Sequence, residues 1–189
     1  MLDDTSARAA VVAAADRLFY AQGVRSVGMD AVRDEAGVSL KRIYALFPSK
    51  DELVVAVLRR RTDQWEQGIE RAAADAASPR ERLLAVFDFL DAWFREDGFR
   101  GCAFINSFGE LGATSPGVAA AVREHKESFQ RYAREVVHEA GLPDDVALQV
   151  VLLVEGAQTT AAITHDAEVA HRARRAAEAL LDAAVPTAS

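Results

Sequence analysis

The sequence predicts an all-α protein: three short N-terminal helices that include a helix-turn-helix, over residues 1–48, then a larger helical domain over 49–189. Three observations predict it. Apolar residues recur at i, i+3 and i+4 through most of the chain, the period of a helix buried along one face. Capping residues open the periodic segments and glycines close several of them, with Ser39, Ser49, Ser78 and Ser115 at starts and Gly23, Gly37 and Gly141 at ends. No stretch reads as a strand. With 189 residues, half of them hydrophobic, there is material for one large or two small cores.

The first helix, 6–22, places Val11, Ala14, Ala15, Leu18 and Phe19 on one face and ends at Gly23. Its alanines allow close approach, so it is expected to pack behind the segment that follows. The second, 29–35, turns Val32 and Ala36 inward. Gly37 then supplies the left-handed residue of a sharp turn, Val38 plugs the angle between helices, and Ser39 caps the third helix.

That third helix, 40–46, is anchored by Ile43 and Phe47 and is too short to be stable alone. Held rigidly, it shows Leu40, Lys41, Arg42 and Tyr44, a set suited to a DNA major groove. Ser49 and Glu52 form a capping box for a long fourth helix through Leu53, Val57, Leu58, Trp65 and Ile69. Lys50 in its first turn opposes the helix dipole, and a phosphate placed there would reverse the sign. The arginine run 59–61 is more often a solvated face than a nucleic-acid contact.

Ser78, Pro79 and Glu81 open a fifth helix, to about residue 96, that is apolar around most of its circumference and leaves Asp88, Asp91 and Arg95 as a narrow polar stripe. Such a helix is buried and should form the core of the second domain. A short sixth helix follows, with Phe104, Ile105, Phe108 and Leu111 on its apolar side. After Ser115 and Pro116, a long seventh helix aligns Val118, Val122, His125, Phe129, Tyr132 and Val136. The eighth starts at Pro143–Asp145 with a dense apolar run, and Asp166 is expected to cap the last, which carries Val169, Ala173, Ala177, Leu180 and Leu181.

The run AGVS at 36–39, with Tyr44, Phe47, Lys50 and Leu53, resembles the DNA-binding signature of the tetracycline-repressor (TetR) family, and Gly23 and the chain length agree. The resemblance covers the first third of the chain. It departs from the family's pattern at Arg33, where a small residue is usual, and at Lys41 and Ala45 in the third helix. It implies an N-terminal DNA-binding domain, a C-terminal ligand-binding and dimerisation domain, and a four-helix dimer interface formed by the last two helices of each copy.

Net charge is −7, but Lys and Arg outnumber Asp and Glu ten to eight through Arg61, and six to two between Ser39 and Arg61. The remainder therefore carries −9. A basic element on an acidic body fits a DNA-binding head. The single Cys102 excludes an intramolecular disulfide framework. The N-terminus is acidic where a signal peptide is basic, and no run of eighteen apolar residues occurs; a cytoplasmic protein without a membrane partner is expected.

The reading that follows is a one-component transcriptional regulator, a repressor in its simplest form, that binds a palindromic operator as a homodimer and is released by a small apolar or amphipathic effector. Gly28, Ser39, Leu40, Lys41, Arg42, Tyr44 and Lys50 are the expected DNA contacts. Trp65, Phe87, Trp93, Phe104, Phe108, His125, Phe129 and Glu155 are candidates for the ligand site, a few polar groups among aromatic ones. The same pattern describes an ordinary core, and a lone histidine on an apolar face is more often a satisfied core residue. The four histidines lack metal-site spacing, so no metal or cofactor is expected. Cys102 reads as a buried inert thiol, or as an oxidation sensor if Arg100 lowers its pKa. No phosphate-cradling loop, nucleophile elbow or HExxH sequence supports an enzyme. A helical adaptor that has lost specific DNA binding is the other alternative.

Overall fold

The computed structural model describes residues 3–185. Met1 and Leu2, which open the acidic N-terminal stretch, lie outside them. The helices are α1 (Asp4–Gln22), α2 (Met29–Ala36), α3 (Leu40–Leu46), α4 (Lys50–Ala72), α5 (Pro79–Phe94), α6 (Ala103–Leu111), α7 (Pro116–Glu139), α8 (Asp145–Thr164) and α9 (Val169–Ala184). No strand occurs among the described residues.

The ends follow from local chemistry. Asp3 caps α1 by accepting from the Ser6 backbone at 2.7 Å, which starts the helix two residues before the expected position. Gly37 closes α2 at φ 63°, a left-handed conformation that glycine adopts without a Cβ clash. Ser78 caps α5 while Pro79 occupies the first turn, and the Glu81 carboxylate returns to the Ala77 backbone at 2.6 Å. Such a cap is worth about 1 kcal/mol. Asp166 does not open α9 directly. Its carboxylate accepts from Glu168 N and pairs with Arg172, and α9 begins two residues later than the sequence suggested.

The chain divides into two compact units: Met1–Asp63 with Ala103–Glu124, and Gln64–Cys102 with His125–Ser189. Thus α6 and the first part of α7 fold with the N-terminal helices. In the first unit, Val11, Ala15, Val32, Ile43, Phe47 and Leu53 are buried, so α3 is fixed by α1, α2 and the start of α4. Phe104 is buried there too, but Ile105 and Phe108 are exposed, against the expectation of one buried apolar side for α6.

The core of the second unit gathers Leu83, Phe87, Leu90, Phe129, Val137, Val150, Val154, Ala177 and Leu181. The polar stripe of α5 is tied down by ion pairs, Asp88 with Arg174 and Asp91 with Arg95, and Arg95 also reaches Glu168. Helix α8 is long and apolar enough to span a membrane by length and composition, with a mean hydropathy of 1.5, but 44% of that stretch is buried inside the protein.

Candidate DNA-recognition head and ligand cavity

Helix α3 is positioned from both ends. The Ser39 hydroxyl accepts from Arg42 N at 3.4 Å, and the Phe47 N–H closes the last turn on Ile43 at 2.8 Å. Arg8 of α1 donates to the Leu46 carbonyl at 3.1 Å and stacks over the Phe47 ring at 4.3 Å. With Ile43 and Phe47 buried, the outward face carries Lys41 and Tyr44, both exposed, and the half-buried Leu40 and Arg42. The Arg42 guanidinium pairs with Asp4 at 2.9 Å. Gly28 is the N-cap of α2, with open space where a Cβ would stand. Arg33 turns outward to Asp30 and Asp34, leaving the crossing of α2 and α3 unobstructed, and the latter carboxylate raises its pKa.

Lys50 has a role that its sequence position did not announce. Its ammonium donates to the carbonyls of Val24 and Val27, both at 2.6 Å, and so binds the α1–α2 turn to the start of α4. Burial pushes its pKa below the ordinary lysine value, opposed by the charges of Glu110 and Asp51. From α6, the Glu110 carboxylate accepts from Val24 N at 3.0 Å and Arg25 N at 2.7 Å, gripping the same turn. A cavity of about 140 Å³ lies beside this network, lined in part by Phe19, Leu58, Asn106 and Glu110. The arginine run splits. Arg59 is exposed, whereas Arg61 pairs with the buried Asp16 and stacks on Tyr20 at 3.9 Å.

The second unit holds a cavity of about 270 Å³ between α4 and α7, lined by Trp65 and Ile69 from one helix and His125, Phe129 and Tyr132 from the other, with charged residues at its edge. Trp65 meets Phe129 edge-on at 5.5 Å and His125 at 5.9 Å. Burial, aided by the adjacent Lys126 charge, pushes the His125 pKa down to about 3, so the imidazole is neutral near pH 7. The Trp65 indole N–H is buried with no hydrogen-bond partner among the described residues.

Of the ligand candidates read from sequence, the structure brings Trp65, His125 and Phe129 together on this cavity. Trp93 stands behind it, in edge contact with Trp65 at 6.0 Å. Phe87 is 1% exposed in the core. Phe104 and Phe108 belong to the first unit. Glu155 pairs with Lys126 at 2.6 Å and does not line the cavity. Tyr132, one of the aromatic residues in the middle of the chain, also lines it, on the i, i+3 and i+7 face of Phe129, Tyr132 and Val136, whereas the rim carboxylates Glu66, Glu70 and Glu135 were missed. Cys102 is buried beside Lys126 at 3.5 Å, while Arg100 donates to the carbonyls of Phe99 and Asp97. No group of three His, Cys, Asp or Glu side chains among the described residues is placed to hold a metal ion.

Two family models match the chain: the bacterial regulatory proteins of the tetR family over residues 11–57, and a tetracyclin repressor-like C-terminal domain over residues 79–177. A TetR-family transcriptional regulator from Streptomyces coelicolor superimposes with a TM-score of 0.88 at 29% identity, covering 96% of this chain and 97% of that one. A second from Streptomyces avermitilis gives 0.81 at 32% identity, covering 94% and 97%. The HTH-type transcriptional activator FasR of Mycolicibacterium smegmatis is 35% identical over 125 residues, 64% of this chain and 54% of that protein. The chain spans about half the length, or less, of the first curated relatives it matches. A helix-turn-helix held from both ends, a helical second unit and these matches agree: the chain belongs to the TetR family of DNA-binding transcriptional regulators.

Proposed function

We propose that this chain is a cytoplasmic one-component repressor that binds a palindromic operator as a homodimer and leaves it when a small effector enters the second unit. The observation that carries the reading is α3: a seven-residue helix fixed by Ser39, Arg8, Ile43 and Phe47 while Lys41 and Tyr44 stay exposed. Leu40, Lys41 and Arg42 read base edges, with Arg42 exchanging Asp4 for DNA. Tyr44, the amides near Ser39 and Gly28, and the remaining N–H of Lys50 hold phosphates. Residues 1–48, with Lys50 at the start of α4, form the reader, and the rest of 49–189 senses and dimerises.

Dimerisation through α8 and α9 is supported by an unpartnered stripe on α8, where Leu148, Leu152 and Ile163 are 55%, 61% and 74% exposed. A two-fold pair of readers doubles the site, as specificity requires. Helices α4 and α7 each contribute residues to both units, which gives an effector a covalent route to the reader. Effector control requires the DNA-incompetent state to bind effector better, typically by about 1–3 kcal/mol.

The test is selection of bound duplexes from a random DNA pool, with the Lys41→Ala/Arg42→Ala variant alongside. A palindromic motif that the variant loses is expected. Enrichment of the same motif by the variant would assign the reading elsewhere.

A further inference from the structure

We propose, building on the effector reading above, that the cavity between α4 and α7 takes a small organic cation, an amine or quaternary ammonium on an apolar body. Its walls are aromatic, with Trp65, Phe129 and Tyr132 joined by the His125 ring. Its rim is acidic: Glu66, Glu70 and Glu135 stand there against Arg131 alone, three negative charges to one positive. Among the described residues none of the three carboxylates is in an ion pair, and Glu66 accepts only from Ser128 Oγ, at 2.8 Å. The rim therefore keeps a net negative charge.

The neighbouring cations do not change that sign. His125 is neutral near pH 7, and the Lys126 ammonium is neutralised by Glu155 at 2.6 Å. Aromatic faces and carboxylates around one cavity attract an ammonium by two additive electrostatic terms, the ring quadrupole and the full charges. An anionic ligand meets three carboxylates, and a neutral one gains only apolar burial. At about 270 Å³ the cavity is at the small end of ligand sites, which limits the cation to one ring or a short branched chain. The buried Trp65 N–H adds a donor that an oxygen on the same ligand satisfies.

The experiment uses the full chain without DNA. Tryptophan fluorescence and thermal shift are followed during titration with phenyltrimethylammonium, its uncharged isostere tert-butylbenzene, and phenylacetate. Saturable binding of the cation below about 1 mM is expected, with the other two at least about tenfold weaker. The Glu66→Gln/Glu70→Gln/Glu135→Gln variant changes only exposed side chains, so it folds, and it should weaken the cation by at least about tenfold. Equal binding of tert-butylbenzene, unchanged cation affinity in the variant, or no saturation overturns the proposal. Separately, a cation that binds yet leaves affinity for the selected DNA unchanged keeps this assignment and removes effector release.

Discussion

The Glu110 carboxylate and the Val24 backbone N–H lie 3.0 Å apart, joining α6 to the turn that precedes the helix-turn-helix. The same carboxylate takes the Arg25 N–H at 2.7 Å. Replacing Glu110 by alanine leaves two backbone donors without that acceptor, at about 1–3 kcal/mol. A lower urea midpoint and weaker DNA binding are expected, with phenyltrimethylammonium affinity unchanged. Full DNA affinity in Glu110→Ala would show that the grip is structural only.

Lys50 holds the turn from the other side through the Val24 and Val27 carbonyls. Lys50→Met should destabilise the fold by about 1–3 kcal/mol, because both acceptors lose a charged donor. If the third N–H meets a phosphate, as proposed, the slope of log affinity against log salt also falls by about two units for the dimer, one for each protomer. An unchanged slope would leave Lys50 as a clamp alone.

His125 makes stability depend on pH. Its folded pKa of about 3 lies below the ordinary 6.5. Above 6.5 neither state carries the proton; between 6.5 and about 3 the unfolded chain binds it and the folded chain does not. Stability therefore falls as pH drops, by up to about 1.4 kcal/mol per unit, or about 2 kcal/mol by pH 5. His125→Gln should lose that part of the slope in urea titrations at pH 7 and pH 5. Parallel curves for the two proteins would argue that His125 is protonated in the folded state.

Dimerisation is tested on α8. Leu152→Glu with Ile163→Glu places charges where 61% and 74% of the side chains already face outward, so folding should survive. Sedimentation is expected to give a dimer for the parent and a monomer for the variant, with loss of palindrome binding. A variant that remains dimeric would move the interface elsewhere.

Much of this was legible in the sequence because it is local. Helix α3 ran from Leu40 to Leu46 as expected, since Gly37, Ser39 and Phe47 settle its ends within a few residues. Arg33 turned outward because Asp30 and Asp34 lie one turn and one residue away. What stayed hidden depends on long-range pairing. Nothing in the order of the chain says that α6 folds with the first unit, so Phe104 and Phe108 looked like companions of Trp65. Lys50 looked free for an anion because its carbonyl partners lie 26 and 23 residues away. Asp166 was legible as a cap, but the carboxylate satisfied Glu168 in a turn instead of opening the helix at once.

The two groups that grip the α1–α2 turn, Glu110 and Lys50, hydrogen-bond it through main-chain atoms. Peptide groups are the same whatever residue bears them, so this anchorage does not read the turn's sequence. Arg25 and Ser26, both exposed, are free to drift while the reader keeps its place. Substitutions there can change the surface charge of the turn without altering the support beneath it.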